Sequence, residues 1–268
     1  MILKVLVDNN TYIDQYYLGE PAVSFYLEEE DKKILFDTGY SHVLIENAQK
    51  MGVDFNEINT VIFSHGHNDH TAGFQYITEN YDVSKMEIVA HPACFNNKKE
   101  GDEEIGAPYE IDKLRNLCKV NLSSKPIQIS NQITFLGEIP SSNNFEKRKL
   151  IGSYQREQSW VDDYVMDDSA IVYQDEEGLF IITGCSHSGI CNIIDYAKKV
   201  CNEDTIKGII GGFHLFEKDE VLEHTIKYFQ NTKIQCLYPC HCVSFQVKAR
   251  LNEVFTVHEV GVGLTLEI

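Results

Sequence analysis

Alternation of apolar and polar positions gives the first third of the chain a strand-and-turn rhythm. Ile2 to Val7, Ala22 to Leu27 and Ile34 to Phe36 have the short, β-branched and aromatic character of strands, and Asp37-Thr-Gly39 closes the third with a turn. Ser41 can cap a helix running to about Met51, with Gly52 as its stop. Thr60 to Phe63 reads as a short apolar strand that leads into Ser64-His-Gly-His-Asn-Asp-His-Thr-Ala-Gly73. A helix to about Tyr81 and a strand from Met86 to Ala90 follow. Residues 92–160 lose this rhythm: Asn96-Asn-Lys-Lys-Glu-Gly-Asp-Glu-Glu104, Ser123-Ser124 and Ser141-Ser-Asn-Asn144 predict an irregular lid region.

The rhythm returns in the last hundred or so residues. Ala170 to Gln174 and Leu179 to Thr183 predict a strand pair turned at Asp175-Glu-Glu-Gly178. Helices are expected near Ile190 to Cys201, Glu220 to Gln230 and Phe245 to Phe255. Strands are expected at Ile206 to Ile210, Ile234 to Tyr238 and Val262 to Ile268. Strands followed by helix in each half fit an α/β protein with two sheets packed together and helices outside.

Composition narrows the class. With 268 residues, 43% of them hydrophobic and 24% charged, the chain can bury a sizeable core, and it is read as one domain spanning 1–268. A net charge of -18 repels phosphate backbones and argues against nucleic acid as partner. No apolar run reaches the roughly 20 residues that span a bilayer, and Met1 to Val7 is too short for a signal-peptide core, so a cytoplasmic protein without a membrane partner is expected. Eight cysteines spread along a long chain read as reduced thiols, some of them candidate metal ligands.

Chemistry concentrates after the Thr60 strand. His65, His67, Asp69 and His70 place four ligand types that suit zinc within six residues. Alternate residues of an extended segment point the same way, so His65 and His67 can reach one ion, while Asp69 and His70, past the turn, can reach a second. In the C-terminal half, His187 follows the strand ending at Thr183, His214 follows Gly211-Gly-Phe, and His241 lies in Pro239-Cys-His-Cys242. Each stands just past an apolar strand, as a ligand at a common sheet edge should. His187 and His241 are expected to bind metal, and His214 to be a ligand or a proton donor to a substrate oxygen. His91, at the end of a core strand, reads as structural.

The pattern His65-x-His67-x-Asp69-His70 resembles the second motif of the metallo-β-lactamase superfamily, and Asp37 in Leu35-Phe-Asp-Thr-Gly39 resembles the first. The resemblance implies a four-layer αββα sandwich of two mixed sheets, with Asp37 holding the metal-binding turn. Gly184-Cys-Ser-His-Ser-Gly-Ile190, Gly211-Gly-Phe-His-Leu215, Pro239-Cys-His-Cys242, Phe135-Leu-Gly-Glu-Ile-Pro140 and Asp167-Asp168 are similar to one branch, that named for 7,8-dihydropterin-6-methyl-4-(β-D-ribofuranosyl)aminobenzene 5′-phosphate synthase. Two departures stand out. Where many members carry Thr-Gly-Asp with a bridging Asp, this chain has Thr183-Gly-Cys185, and no histidine lies between His91 and His187. Cys185 could supply a thiolate, His187 could take over, or a second site could be weak. Cys240 and Cys242 are read as small thiols that position His241, with a disulfide-like or metal-binding pair as the alternative.

One or two divalent transition-metal ions are therefore expected, zinc first, with iron or manganese compatible. The expected function is that of a metal-dependent enzyme acting on a small phosphorylated or ester substrate, with Asp69 and His214 as catalytic groups. It is read either as a hydrolase or as a pterin-transferring synthase that joins a dihydropterin methyl pyrophosphate to a ribosylaminobenzene phosphate and releases pyrophosphate. The rival reading is a non-catalytic metal-binding sensor on the same fold. Oligomeric state is not legible.

Overall fold

The computed structural model describes residues 1–268. Its contacts divide the chain into two compact units: residues 1–123, 150–163 and 260–268 form the first, and residues 124–149 and 164–259 the second. In chain order, the first unit holds β1 (Ile2–Val7), β2 (Ser24–Glu29), β3 (Lys32–Phe36), α1 (Val43–Lys50), β4 (Thr60–Ile62), α2 (Asn68–Thr71), α3 (Phe74–Asn80), β5 (Glu87–Ala90), β6 (Lys98–Glu100), β7 (Glu103–Glu104), α4 (Ile111–Leu117) and β8 (Lys119–Leu122). The second contributes β9 (Ile127–Gln128) and β10 (Ile133–Phe135) before the chain returns to the first for β11 (Ser153–Arg156) and β12 (Ser159–Asp162). β13 (Ala170–Asp175), β14 (Gly178–Thr183), α5 (Ile190–Cys201), β15 (Ile206–Gly211), α6 (Glu220–Thr232), β16 (Cys236–Pro239) and α7 (Phe245–Asn252) complete the second, and β17 (Thr265–Glu267) closes the first.

Each unit is built on a mixed sheet, as an α/β protein requires. The first sheet runs β17-β1-β2-β3-β4-β5-β8. Its β17, β1, β2 and β3 are antiparallel, and β3, β4, β5 and β8 are parallel. The second runs β16-β15-β14-β13-β10-β9, with β14, β15 and β16 parallel. A four-stranded sheet, β12-β11-β6-β7, also belongs to the first unit and is drawn from the segment whose sequence reads as irregular. Its strands are short and mostly polar (Ser153-Tyr-Gln-Arg156 against Ser159-Trp-Val-Asp162), so no apolar alternation marks them.

Packing follows the apolar stripes. In the first unit Leu35, Val61, Phe63, Phe74, Ile77, Ile88 and Leu114 join one buried cluster of strand and helix side chains. In the second, Ile190, Cys191, Ile193, Ile194 and Ala197 of α5 and Leu222, Ile226 and Phe229 of α6 are buried with Val172, Ile181 and Ile209. Fully burying such a side chain contributes about 1.5–3 kcal/mol, which makes these faces the main support of both sheets. No helix is long and apolar enough to cross a membrane.

Several boundaries differ from the sequence reading, and at two of them local contacts give the reason. β2 begins at Ser24, because the backbone of Val23 serves loops instead of a ladder: its N–H donates to Asp69 O and its carbonyl accepts from Gly39 N. α1 begins at Val43, because the Ser41 hydroxyl, which accepts from Val43 N at 3.2 Å, sits one place outside the cap and donates to Glu20 Oε2 at 2.6 Å.

Candidate metal centre

Strand register decides where the candidate ligands emerge. In the first unit Phe36, Ile62 and Val89 lie side by side on parallel β3, β4 and β5. Asp37, the Ser64–His67 segment and His91 therefore leave the same carboxyl edge, where open α/β sheets place their ligands. In the second unit Thr183, Gly211 and Pro239 are in register on β14, β15 and β16, so the Cys185–His187, His214 and His241–Cys242 segments leave one edge too.

The first unit's residues form two close pairs. His65 Nε2 lies 3.0 Å from His67 Nδ1, and His70 Nε2 lies 3.5 Å from Asp69 Oδ2. A tetrahedral ion held at about 2.0–2.1 Å separates two nitrogen ligands by roughly 3.3 Å, so each pair has the bite of a chelate. The backbone permits this because position 66 is glycine: a Cβ there would stand 1.9 Å from the Cys94 carbonyl oxygen. Asp37 works from behind. It accepts from Ser64 N at 2.7 Å, from Ser64 Oγ at 2.7 Å and from His70 Nδ1 at 2.7 Å, all fully buried. Fixing the proton on Nδ1 leaves the Nε2 lone pair of His70 for an ion. Asp37 thus holds the turn, the part that the resemblance implies for it. Nδ1 of His91 accepts from Ala93 N at 3.1 Å, a structural contact.

In the second unit Cys185, His214 and Cys242 offer ligand atoms that all lie within 4.8 Å of one another. The rings of His187 and His214 are 4.4 Å apart. Nδ1 of His214 is buried and has no hydrogen-bond partner, which costs on the order of 1–3 kcal/mol unless something binds there. Ser186, His214 and His241 all adopt left-handed backbone, with φ of 61°, 51° and 49°. Non-glycine residues rarely do so, and such strain gathers at functional sites. Burial opposes ionisation of the Cys242 thiol, but contacts from Cys185 and His214 and the nearness of His241 hold it well below the ordinary thiol value. Cys-x-Cys spacing carries no signal for this, because Cys185 and His214 lie on other loops, far away in sequence.

Asp168 was legible only as part of a branch pattern. It is fully buried, and its Oδ2 accepts from Ser188 N at 2.9 Å and from the Ser188 hydroxyl, so it braces the loop that carries His187. Burial pushes its carboxyl up despite these bonds and the nearby Arg148.

Each unit also holds a cavity. One, about 280 Å³ in the second unit, is lined by His187 and His214 together with Phe145, Lys147, Lys149 and Phe216. Lys147 and Lys149 are exposed, whereas Arg148 is engaged by the carbonyls of Val165 and Ile139. The other, about 700 Å³ in the first unit, is lined by Asn68, Tyr40, Tyr76, Tyr109 and Trp160.

The donor sets suit a divalent transition metal: imidazole and carboxylate in the first unit, imidazole and thiol in the second, each near an edge that strained backbone or a buried carboxylate holds in place.

The sequence pattern of the Metallo-beta-lactamase superfamily matches residues 18–198. A protein of Methanocaldococcus jannaschii named 7,8-dihydropterin-6-methyl-4-(beta-D-ribofuranosyl)-aminobenzene-5'-phosphate synthase is 31% identical over 254 residues, covering 89% of this chain and 86% of its own length. An uncharacterised protein of the same organism is 30% identical over 264 residues, covering 97% of this chain and 98% of its own. The crystal structure of Tm1679, described as a metal-dependent hydrolase of the beta-lactamase superfamily, superposes with a TM-score of 0.86 at 27% identity, covering 100% of this chain and 99% of the other.

Proposed function

Because the chain belongs to the metallo-beta-lactamase superfamily, we propose that it is a metal-dependent enzyme acting on a small, phosphorylated or ester substrate. The candidate ligands are His65, His67, Asp69 and His70 in the first unit and, separately, His187 and His241 in the second. The observation that carries this reading is the pair of chelate-sized contacts, 3.0 Å and 3.5 Å, on a turn that Asp37 fixes from behind. A bound divalent ion supplies Lewis acidity toward a phosphoryl or carbonyl oxygen and a source of hydroxide near neutral pH. The chain's own residues do the rest. Asp69, with 29% of its side chain exposed, is the carboxylate that can take up a proton as well as serve as a ligand. His214 lines the smaller cavity, as a ligand or as the donor of a proton to a substrate oxygen. Lys147 and Lys149 at the same cavity, which Glu217 and Asp219 also line, can meet an anionic group of the substrate.

Hydrolysis is the first reading, because it needs only the ligand set and water. Transfer of a pterin is the second. It is favoured by the 31% identical relative that carries the synthase name and by the larger cavity, whose aromatic side chains suit a planar ring. A sensor without turnover is the remaining rival.

Elemental analysis of the purified chain, paired with an ester and phosphoester panel and a pterin fluorescence titration, tests these readings. The expected result is one or two ions per chain, with zinc the first choice, and turnover that His65→Ala combined with His67→Ala abolishes. Wild-type turnover in that double variant would place the chemistry elsewhere. Full metal content without turnover would favour the sensor, and tight pterin binding the synthase.

A further inference from the structure

We infer that Cys185, His214 and Cys242 together form a zinc site, with two thiolates, one imidazole and an open fourth position. This goes beyond the nitrogen and carboxylate ligands on which the functional reading rests, and it absorbs two thiols to which that reading gives no part.

Three independent features of the second unit support it. The first is spacing. Their ligand atoms lie within 4.8 Å of one another, and a tetrahedral ion about 2.3 Å from sulfur and about 2.0–2.1 Å from nitrogen needs its ligands roughly 3.3–3.8 Å apart. Small rotamer shifts close that gap. The second is an unmet polar atom: Nδ1 of His214 is buried without a hydrogen-bond partner. The third is the room made for sulfur. A Cβ at Gly212 would stand 2.4 Å from Cys242 Sγ and 2.6 Å from Gly184 O. Glycine there lets the thiol of one loop seat against the backbone of the next, where Cys242 Sγ lies 3.5 Å from Cys185 O. The left-handed backbone of His214 and His241 belongs to the same constraint, since it turns both loops at the ends of parallel strands.

Charge also balances. Binding releases two thiol protons to solvent and forms two zinc–sulfur bonds and one zinc–nitrogen bond. Two thiolates and a neutral imidazole then exactly offset a divalent cation, so the half-buried cluster carries no net charge. Two cysteines, one histidine and an open position make up the ligand set of a catalytic zinc, not of a closed structural one. The open position has a natural outlet, because His214 lines the 280 Å³ cavity beside Lys147 and Lys149. The ligand class expected there is a small anion with an oxygen or sulfur donor.

X-ray absorption at the zinc edge of the full, zinc-loaded chain tests the inference without reference to activity. The expected spectrum has a sulfur shell at about 2.3 Å beside the nitrogen and oxygen shell at about 2.0–2.1 Å. The shell should persist in the His65→Ala/His67→Ala chain and disappear in Cys185→Ser/Cys242→Ser. Zinc should also protect two of the eight cysteines from alkylation. In Cys242→Ser alone, with circular dichroism to check the fold, zinc affinity at this site should fall by more than the roughly 10- to 100-fold that loss of a supporting partner costs. Bound zinc with only nitrogen and oxygen neighbours would overturn the thiolate site and leave the functional reading standing. A chain that takes up no zinc would overturn the thiolate site, and one that takes up no divalent transition metal of any kind would overturn both.

Discussion

Both carboxylate oxygens of Asp37 are occupied, and its own backbone is left-handed at φ 57°. Such a residue acts through its neighbours. Asp37→Ala is expected to weaken metal binding by about 10- to 100-fold, the usual cost of losing the partner that orients a ligating histidine. Competition with a coloured chelator measures it, and unchanged affinity would mean that His70 is not held through Asp37. At this scale the sequence was most informative where ligands are adjacent. His65, His67, Asp69 and His70 announce themselves because one turn carries all four. Cys185 and His214 were legible one at a time, but their grouping with Cys242 was not, because the register of β14, β15 and β16 brings the three loops to one edge and no local spacing encodes it.

At the scale of elements, α5 shows how a helix can be started from a distance. Its cap position, Gly189, has no side chain, and a Cβ there would stand 2.6 Å from Glu146. The Glu146 carboxylate takes the place of a cap: it accepts from Cys191 N and Asn192 N, both at 2.9 Å. Burial nevertheless pushes its carboxyl above the ordinary 4.5, as it pushes that of Asp168 above 3.8. A folded-state value above the unfolded one means that the native chain binds more protons than the unfolded chain in the window just above those ordinary values. The contribution of these two groups is therefore fully present below them and is lost as pH rises through the folded values. Urea midpoints across that range should fall more steeply with rising pH in wild type than in Glu146→Gln/Asp168→Asn; identical slopes would refute the assignment. The β11–β12 pair makes a related point. Lys98 on β6 pairs with Asp163, just past β12, at 3.0 Å with both side chains buried. Asp163→Ala leaves the lysine charge uncompensated and should cost about 3–5 kcal/mol by denaturant unfolding. Such an anchor is invisible in a polar stretch whose two partners lie far apart in sequence, which is why this region reads as loop.

At the scale of the whole molecule, the excess of 41 acidic over 23 basic side chains dominates. Self-repulsion at a net charge of -18 works against the compact state, and salt screens it, since the Debye length shrinks from about 30 Å at 0.01 M to about 3 Å at 1 M. The melting temperature should rise with sodium chloride over that range; a flat response would show that the charges are already compensated locally. The α/β class and nearly every long element were legible here, because each buries an apolar face of the right period. The division into two units was not, since it depends on which segments pack together and the first unit is assembled from three of them. That assembly has a consequence for how the chain is made. Ile2 of β1 pairs with Glu267 of β17, so the two strands of one ladder are synthesised far apart in time, with the whole second unit between them. While a ribosome works through the whole second unit, the outer edge of β1 stands as a row of unanswered N–H and C=O groups, open to the same edge on a neighbouring nascent chain. Crowded translation is then a condition that exposes this edge to aggregation, and a chain stopped at Glu259 should pellet where the full one stays in solution.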